Sequence, residues 1–217
     1  MNPHTSVKLK LWYNKNMPKS IKERTENEYD ISKSRFITIL FPIKNGDEAK
    51  SIIKKVKKEY NDATHIVTAY ILENEAHSND DSEPKGTAGL PTLEVLRKND
   101  LTNILALTIR YFGGIKLGSS GLFRSYTKSV SDCLSKAQIV VKRNLSSFSI
   151  SFDYSIEGKI SNLLEKGQIL SLSKDYTDEV SYHITLLKND FDEMVKNLKN
   201  IDYRLKINDY KEEEKFI

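Results

Sequence analysis

Cysteine occurs once in the 217 residues, at Cys133, which excludes an intrachain disulfide and suits a reducing cytoplasm. No apolar run approaches the roughly 18–20 residues needed to cross a bilayer. Residues 1–16 show no apolar h-region followed by a small-residue cleavage site, so a cytoplasmic protein without a membrane partner is expected. Histidine occurs four times, and His65 and His77 do not have the i, i+4 spacing of a helical metal pair; no metal and no cofactor is expected. Ser, His and Asp are present without a spacing that identifies a triad, so no catalytic residue is assigned. Two phosphate-binding fingerprints are also missing. Gly-x-Gly-x-x-Gly does not occur, and although Gly113 and Gly118 have the Walker A interval, Ser119 stands where the lysine must be.

What the chain does have is charge, unevenly spread. The net charge of +4 divides into +8 for residues 1–143, with 24 basic against 16 acidic side chains, and −4 for residues 144–217, with 10 against 14. The two parts are therefore expected to meet different partners. Between Thr108 and Arg143, Asp132 is the sole acid among seven basic residues: Arg110, Lys116, Arg124, Lys128, Lys136, Lys142 and Arg143. Such a segment attracts polyanions, with a strength that falls as salt rises.

Apolar periodicity predicts an α+β chain. Residues 1–17 are polar and without period and are expected to be a disordered extension. Residues 18–143 read as strands 23–31 and 35–42, helix 47–60 with Ala49, Ile52, Ile53, Val56 and Tyr60 on one face, strand 66–72, short helix 92–98, strand 104–111 covered on both faces, and long helix 119–138. Residues 144–217 read as strand, helix, strand, strand, helix, strand, with the last strand at 203–210. This β-α-β-β-α-β order is that of a ferredoxin-like unit. A junction is expected at 142–144, giving two domains, 18–143 and 144–217.

Six of the nine glycines lie in two short stretches, Asp80–Pro91 and Arg110–Leu122. The second places a glycine-rich loop between a strand and a helix. Glycines let a backbone approach a phosphate closely, and a helix start offers unpaired N–H groups with partial positive charge. Gly118, Ser119, Ser120 and Gly121, with Ser119 or Ser120 as helix cap, are candidate anion contacts, and Arg110, Lys116 and Arg124 supply full charges nearby. In the first stretch Asp80, Asp81 and Glu83 admit three roles: accepting backbone hydrogen bonds or pairing with Arg110, metal or acid–base chemistry, and partner contact. Cys133 falls on the apolar stripe of the long helix and reads as a buried small hydrophobe.

These stretches, Asp-Asp-Ser-Glu-Pro-Lys-Gly-Thr-Ala-Gly-Leu-Pro at 80–91 and Arg-Tyr-Phe-Gly-Gly-Ile-Lys-Leu-Gly-Ser-Ser-Gly-Leu at 110–122, resemble the motifs of the IMPACT/YigZ family. Lys33-Ser34-Arg35-Phe36-Ile37 and Ala63-Thr64-His65 match as well. The chain departs from the family pattern at Ser82, where the family has Gly, at Lys85, where it has Ser, at Ile66-Val67, usually Asn-Cys, and at His77, near a frequent Arg. The resemblance implies an N-terminal βαβ domain of the kind shared by a ribosomal-protein domain and small-molecule kinases. It also implies a C-terminal domain similar to the last domain of elongation factor G. Eukaryotic members are implied to restrain the kinase that answers amino-acid starvation, acting through an RWD domain that is not read here. Translation is thus implied as a theme, without a named partner.

The expected function is that of a non-enzymatic regulatory protein whose basic, glycine-rich face docks RNA, the ribosome or a protein partner. The alternative is a phosphotransferase or hydrolase acting on a phosphorylated small molecule or nucleotide, with Asp80, Asp81 or Glu83 as base or metal ligand. Nothing in the sequence sets the oligomeric state.

Overall fold

The structure is a computed structural model that describes residues 17–217. The extension expected at 1–17 lies, apart from Met17, outside the described residues. The fold is mixed α/β, with two five-stranded sheets.

The first sheet has the order β2-β3-β6-β4-β5, formed by β2 (Thr25–Ile31), β3 (Ser34–Pro42), β4 (His65–Ile71), β5 (Ala76–Asn79) and β6 (Ile104–Tyr111). β6 lies at its centre, and its apolar residues alternate between two cores. Leu105, Leu107 and Ile109 pack with Ala49 and Val56 of α1 (Gly46–Glu59), while Ile104 and Ala106 pack with Val95 and Leu96 of α2 (Gly89–Lys98) and Val130 and Cys133 of α3 (Gly118–Lys136). Helices on both faces explain why the strand reads as a continuous apolar run. Cys133 is buried and its thiol is pushed up to about 12, chiefly by that burial, so it is inert.

The second sheet has the order β1-β7-β9-β8, with β10 also paired to β7. Its strands are β1 (Lys19–Ile21), β7 (Ile139–Phe152), β8 (Ile169–Tyr176), β9 (Val180–Leu187) and β10 (Asn208–Phe216), and α4 (Glu157–Lys166) and α5 (Phe191–Ile201) complete the unit. Phe148, Ile150, Phe152, Tyr182 and Ile184 form a core with Ile160, Leu164, Met194 and Leu198 of the two helices. All buried members of this cluster lie between Phe148 and Leu205, and those of the other three between Ile21 and Leu134.

Residues 142–144, the expected junction, lie inside β7, which runs unbroken for 14 residues. Its first residues pair with β1 and its later ones with β10, because ladder hydrogen bonds hold a polar stretch extended where no apolar period marks it. The last strand begins at Asn208 rather than 203; its Lys-Glu-rich sequence covers one edge of β7, and such an edge needs no apolar face. β5, within the segment read as an acidic loop, is an exposed edge strand whose His77 stacks on Tyr70 with ring centroids 5.4 Å apart. Finally, α2 begins at Gly89, before Pro91, because the N–H that proline lacks has no helical acceptor in a first turn.

Candidate functional site

The three carboxylates of the acidic loop point to three different places. Asp81 and Ser82 adopt left-handed backbone, with φ of 44° and 70°, and this reverses the chain between successive side chains. Asp80 turns toward the start of α2: one oxygen accepts from the N–H groups of Ala88 at 3.0 Å and Gly89 at 2.7 Å, the other from Gly86 at 2.9 Å. Burial pushes the Asp80 carboxyl upward, but these three donors outweigh it and hold the group below the usual carboxylate range. It takes the place of the side-chain cap that Ala88 lacks. Asp81 accepts from the Ile66 N–H at 2.6 Å and from Lys57 at 3.1 Å, while its carbonyl meets His65 Nδ1 at 2.8 Å.

Glu83 goes inward, where one oxygen is shared by the Arg110 guanidinium at 2.6 Å and the Tyr126 hydroxyl at 2.8 Å, with His65 Nε2 at 3.9 Å. Arg110 is 4 % exposed and lies between the rings of Phe36 and Phe112, its carbon 5.4 and 5.5 Å from their centroids. Tyr126 is fully buried, and burial and then the Glu83 charge raise its pKa, so the phenol stays protonated and donates. Arg110, expected among the anion contacts, therefore spends its charge on Glu83 inside the protein.

Around this pair the matched motifs converge. Ser34 Oγ accepts from Arg110 at 3.4 Å and from the Gly113 N–H at 3.3 Å, and Thr64 Oγ1 accepts from the Phe112 N–H at 3.0 Å. Gly113 permits the convergence: a Cβ there would lie 1.9 Å from the Lys33 carbonyl oxygen, in the turn between β2 and β3. Gly114 and Gly118 face open space but have φ of +85° and +67°. The chain thus turns sharply into α3, whose first residue is Gly118. Ser119 and Ser120, expected as helix caps, stand exposed inside its first turn; the cap position belongs to Leu117, which has no side-chain cap hydrogen bond.

Beside this start lies a groove of about 470 Å³ between the end of β2 and the first turns of α3. Lys116, Gly121 and Arg124 line it together with Tyr29, Ser125 and Lys128. Lys116 and Arg124 are exposed and have no acidic partner among the described residues. Lys128 pairs with Asp132 at 2.7 Å, and its ammonium lies 5.2 Å from the centre of the Tyr29 ring. No acidic residue lines the groove. Lys142, in β7 after the end of α3, is instead held between Glu73 at 2.5 Å and Glu214 at 2.6 Å, and Arg143 donates to the Met17 sulfur.

Sequence reasoning thus brought Lys116, Gly121 and Arg124 to one place and missed Tyr29, Ser125 and the inward role of Tyr126. The spacing of Ser125 and Tyr126 on the buried side of α3 carried a signal for burial, but none for what each hydroxyl would meet. Tyr29 lies too far along the chain for any local pattern to place it there.

A two-sheet α/β protein is thereby defined, with a buried Glu–Arg–Tyr centre beneath a glycine turn and a cationic groove beside it. Residues 32–134 match the Impact N-terminal domain. "IMPACT family member YvyE" of Bacillus subtilis is 43% identical over 166 residues, covering 75% of this chain and 76% of that protein. "IMPACT family member YigZ" of Escherichia coli is 32% identical over 162 residues, covering 72% and 79%. A solved structure described only as that of a hypothetical protein is 28% identical, with a TM-score of 0.58, over 88% of this chain and 95% of its own. The chain belongs to the IMPACT family.

Proposed function

We propose that this protein is a non-enzymatic regulator linked to translation, which docks RNA, on the ribosome or free, through the basic face at the start of α3. The observation that supports this reading most is the division of charge on that face. Lys116 and Arg124 stand exposed without acidic partners, while Asp80, Asp81 and Glu83 are each committed to donors of the protein itself. Family membership supplies translation as the theme. The enzyme reading needs one of those carboxylates at the groove as base or metal ligand, and none lines it.

In this reading residues 18–143 form the docking domain. Residues 144–217 form a ferredoxin-like domain, favoured by the order β7-α4-β8-β9-α5-β10 and by the strand order β10-β7-β9-β8. Exposed lysine and arginine give affinity by releasing counterions, so binding weakens with salt.

The test is RNA binding at several salt concentrations for the wild type, for Lys116→Ala with Arg124→Ala, and for Lys142→Ala with Arg143→Ala. A dissociation constant on the order of micromolar or weaker is expected at physiological salt. The first double variant is expected to lower the log–log salt slope by about two, and the second, whose Lys142 charge is already paired, by much less. Equal losses would show a diffuse basic surface, and no binding by any of them would move the reading to an acidic protein partner.

A further inference from the structure

We infer that the groove between β2 and α3 seats a single phosphate group, to which the Ser125 hydroxyl donates between the charges of Lys116 and Arg124. The inference rests on the reading above, with the RNA backbone as the source of the phosphate. The observation behind it is the state of Ser125. This residue lines the groove and is 2 % exposed, yet its Oγ has no hydrogen-bond partner among the described residues. A helical serine ordinarily returns its hydroxyl to the carbonyl four residues back, here that of Gly121, and Ser125 does not. A buried unpartnered hydroxyl is a cost in the free protein, and turning the Ser125 side chain about its Cα–Cβ bond, so that the enclosed hydroxyl meets a phosphate oxygen in the groove, removes it. Thr127 shares the missing partner but does not line the groove.

The surroundings suit an anion. Lys116 and Arg124 bring two uncommitted positive charges, and Lys128 brings a third that Asp132 partly offsets. Gly121 leaves the floor of the groove without a side chain, and Tyr29 supplies an apolar wall. Lysine and arginine alone attract any polyanion; a neutral donor from the same lining adds direction at short range, because a hydrogen bond to a charged oxygen is strong only when aligned.

Ser125→Ala separates this role from general charge, since it removes a donor and no charge. Its oligoribonucleotide affinity is expected to fall about tenfold, the worth of one hydrogen bond to a charged group, with the log–log salt slope unchanged. Its melting temperature is expected to stay level or rise, because the alanine leaves no unpartnered hydroxyl. Unchanged RNA affinity in Ser125→Ala, beside a clear loss in Lys116→Ala with Arg124→Ala, overturns the phosphate seat and leaves the RNA-docking face standing. If the wild type binds no RNA, inorganic phosphate is titrated while the amide resonances of residues 121–128 are followed. Shifts that Ser125→Ala abolishes support the seat with a small phosphorylated molecule as its source and sink the RNA reading; no shift sinks both.

Discussion

The Glu83 carboxylate and the Arg110 guanidinium meet at 2.6 Å with side chains only 3 % and 5 % exposed, which makes them an internal ion pair that joins the acidic loop to the central strand. Removing one partner from such a pair leaves a buried charge uncompensated, which costs about 3–5 kcal/mol. Glu83→Gln and Arg110→Met are therefore each expected to lower the urea midpoint strongly. The double variant is expected to lose less than the sum of the two, because neither charge is then left alone. Additive losses in a double-mutant cycle would show that the two groups are not coupled.

The glycines of the turn are unequal. Gly113→Ala drives a methyl into the Lys33 carbonyl, and the β2–β3 turn must move; overpacking of this kind costs about 1–3 kcal/mol or more. Gly114→Ala and Gly118→Ala meet open space and pay only for left-handed backbone, about 1–2 kcal/mol. Chemical denaturation of the three variants is expected to place Gly113→Ala as the least stable. Ser82 supplies the reverse case: its φ of 70° is a conformation that glycine adopts freely, so Ser82→Gly is expected to stabilise by roughly 1 kcal/mol or less.

Asp80 gives the acid limb of stability a local cause. Its folded pKa lies below the ordinary value of 3.8. Its contribution is therefore fully present above that value and is lost as pH falls through the folded one. Asp80→Asn, which turns an N–H₂ toward backbone donors, is expected to be less stable than the wild type at neutral pH. The gap between their melting temperatures should narrow as pH is lowered from about 5 to 2. Parallel melting curves across that range would assign the acid sensitivity elsewhere.

Proteolysis reports on the junction. Lys142 and Arg143 lie within β7, paired there with Phe216 and Lys215 of β10, and the Lys142 N–H donates to the Pro18 carbonyl, whereas Tyr203, between α5 and β10, is 83% exposed in irregular chain beside Arg204 and Lys206. Trypsin needs locally extended, unpaired chain, so within the described residues its early cuts are expected after Arg204 or Lys206. Mass spectrometry of short digests reads this directly, and early cleavage after Lys142 or Arg143 would show that β7 opens there.

Periodicity in the sequence determined the elements that bury an apolar face. The stripe of α1, the doubly covered β6 and the long α3 each follow from the positions of their own hydrophobic residues, and local side-chain identity is enough to set them. Asp80, Glu83, Arg110 and Gly113 were also visible in the two unusual glycine-bearing stretches, and Ser34 and Thr64 through the family resemblance. What they do was decided by the tertiary structure. Whether Arg110 faces an anion or Glu83 depends on a partner 27 residues away, and whether Ser125 has a hydrogen-bond partner depends on the packing of α3 against β2. β1 and β5 escaped, and β10 was placed too early, for the same reason: they are short or polar strands held by ladder hydrogen bonds to neighbours, and backbone pairing leaves no mark on side-chain pattern.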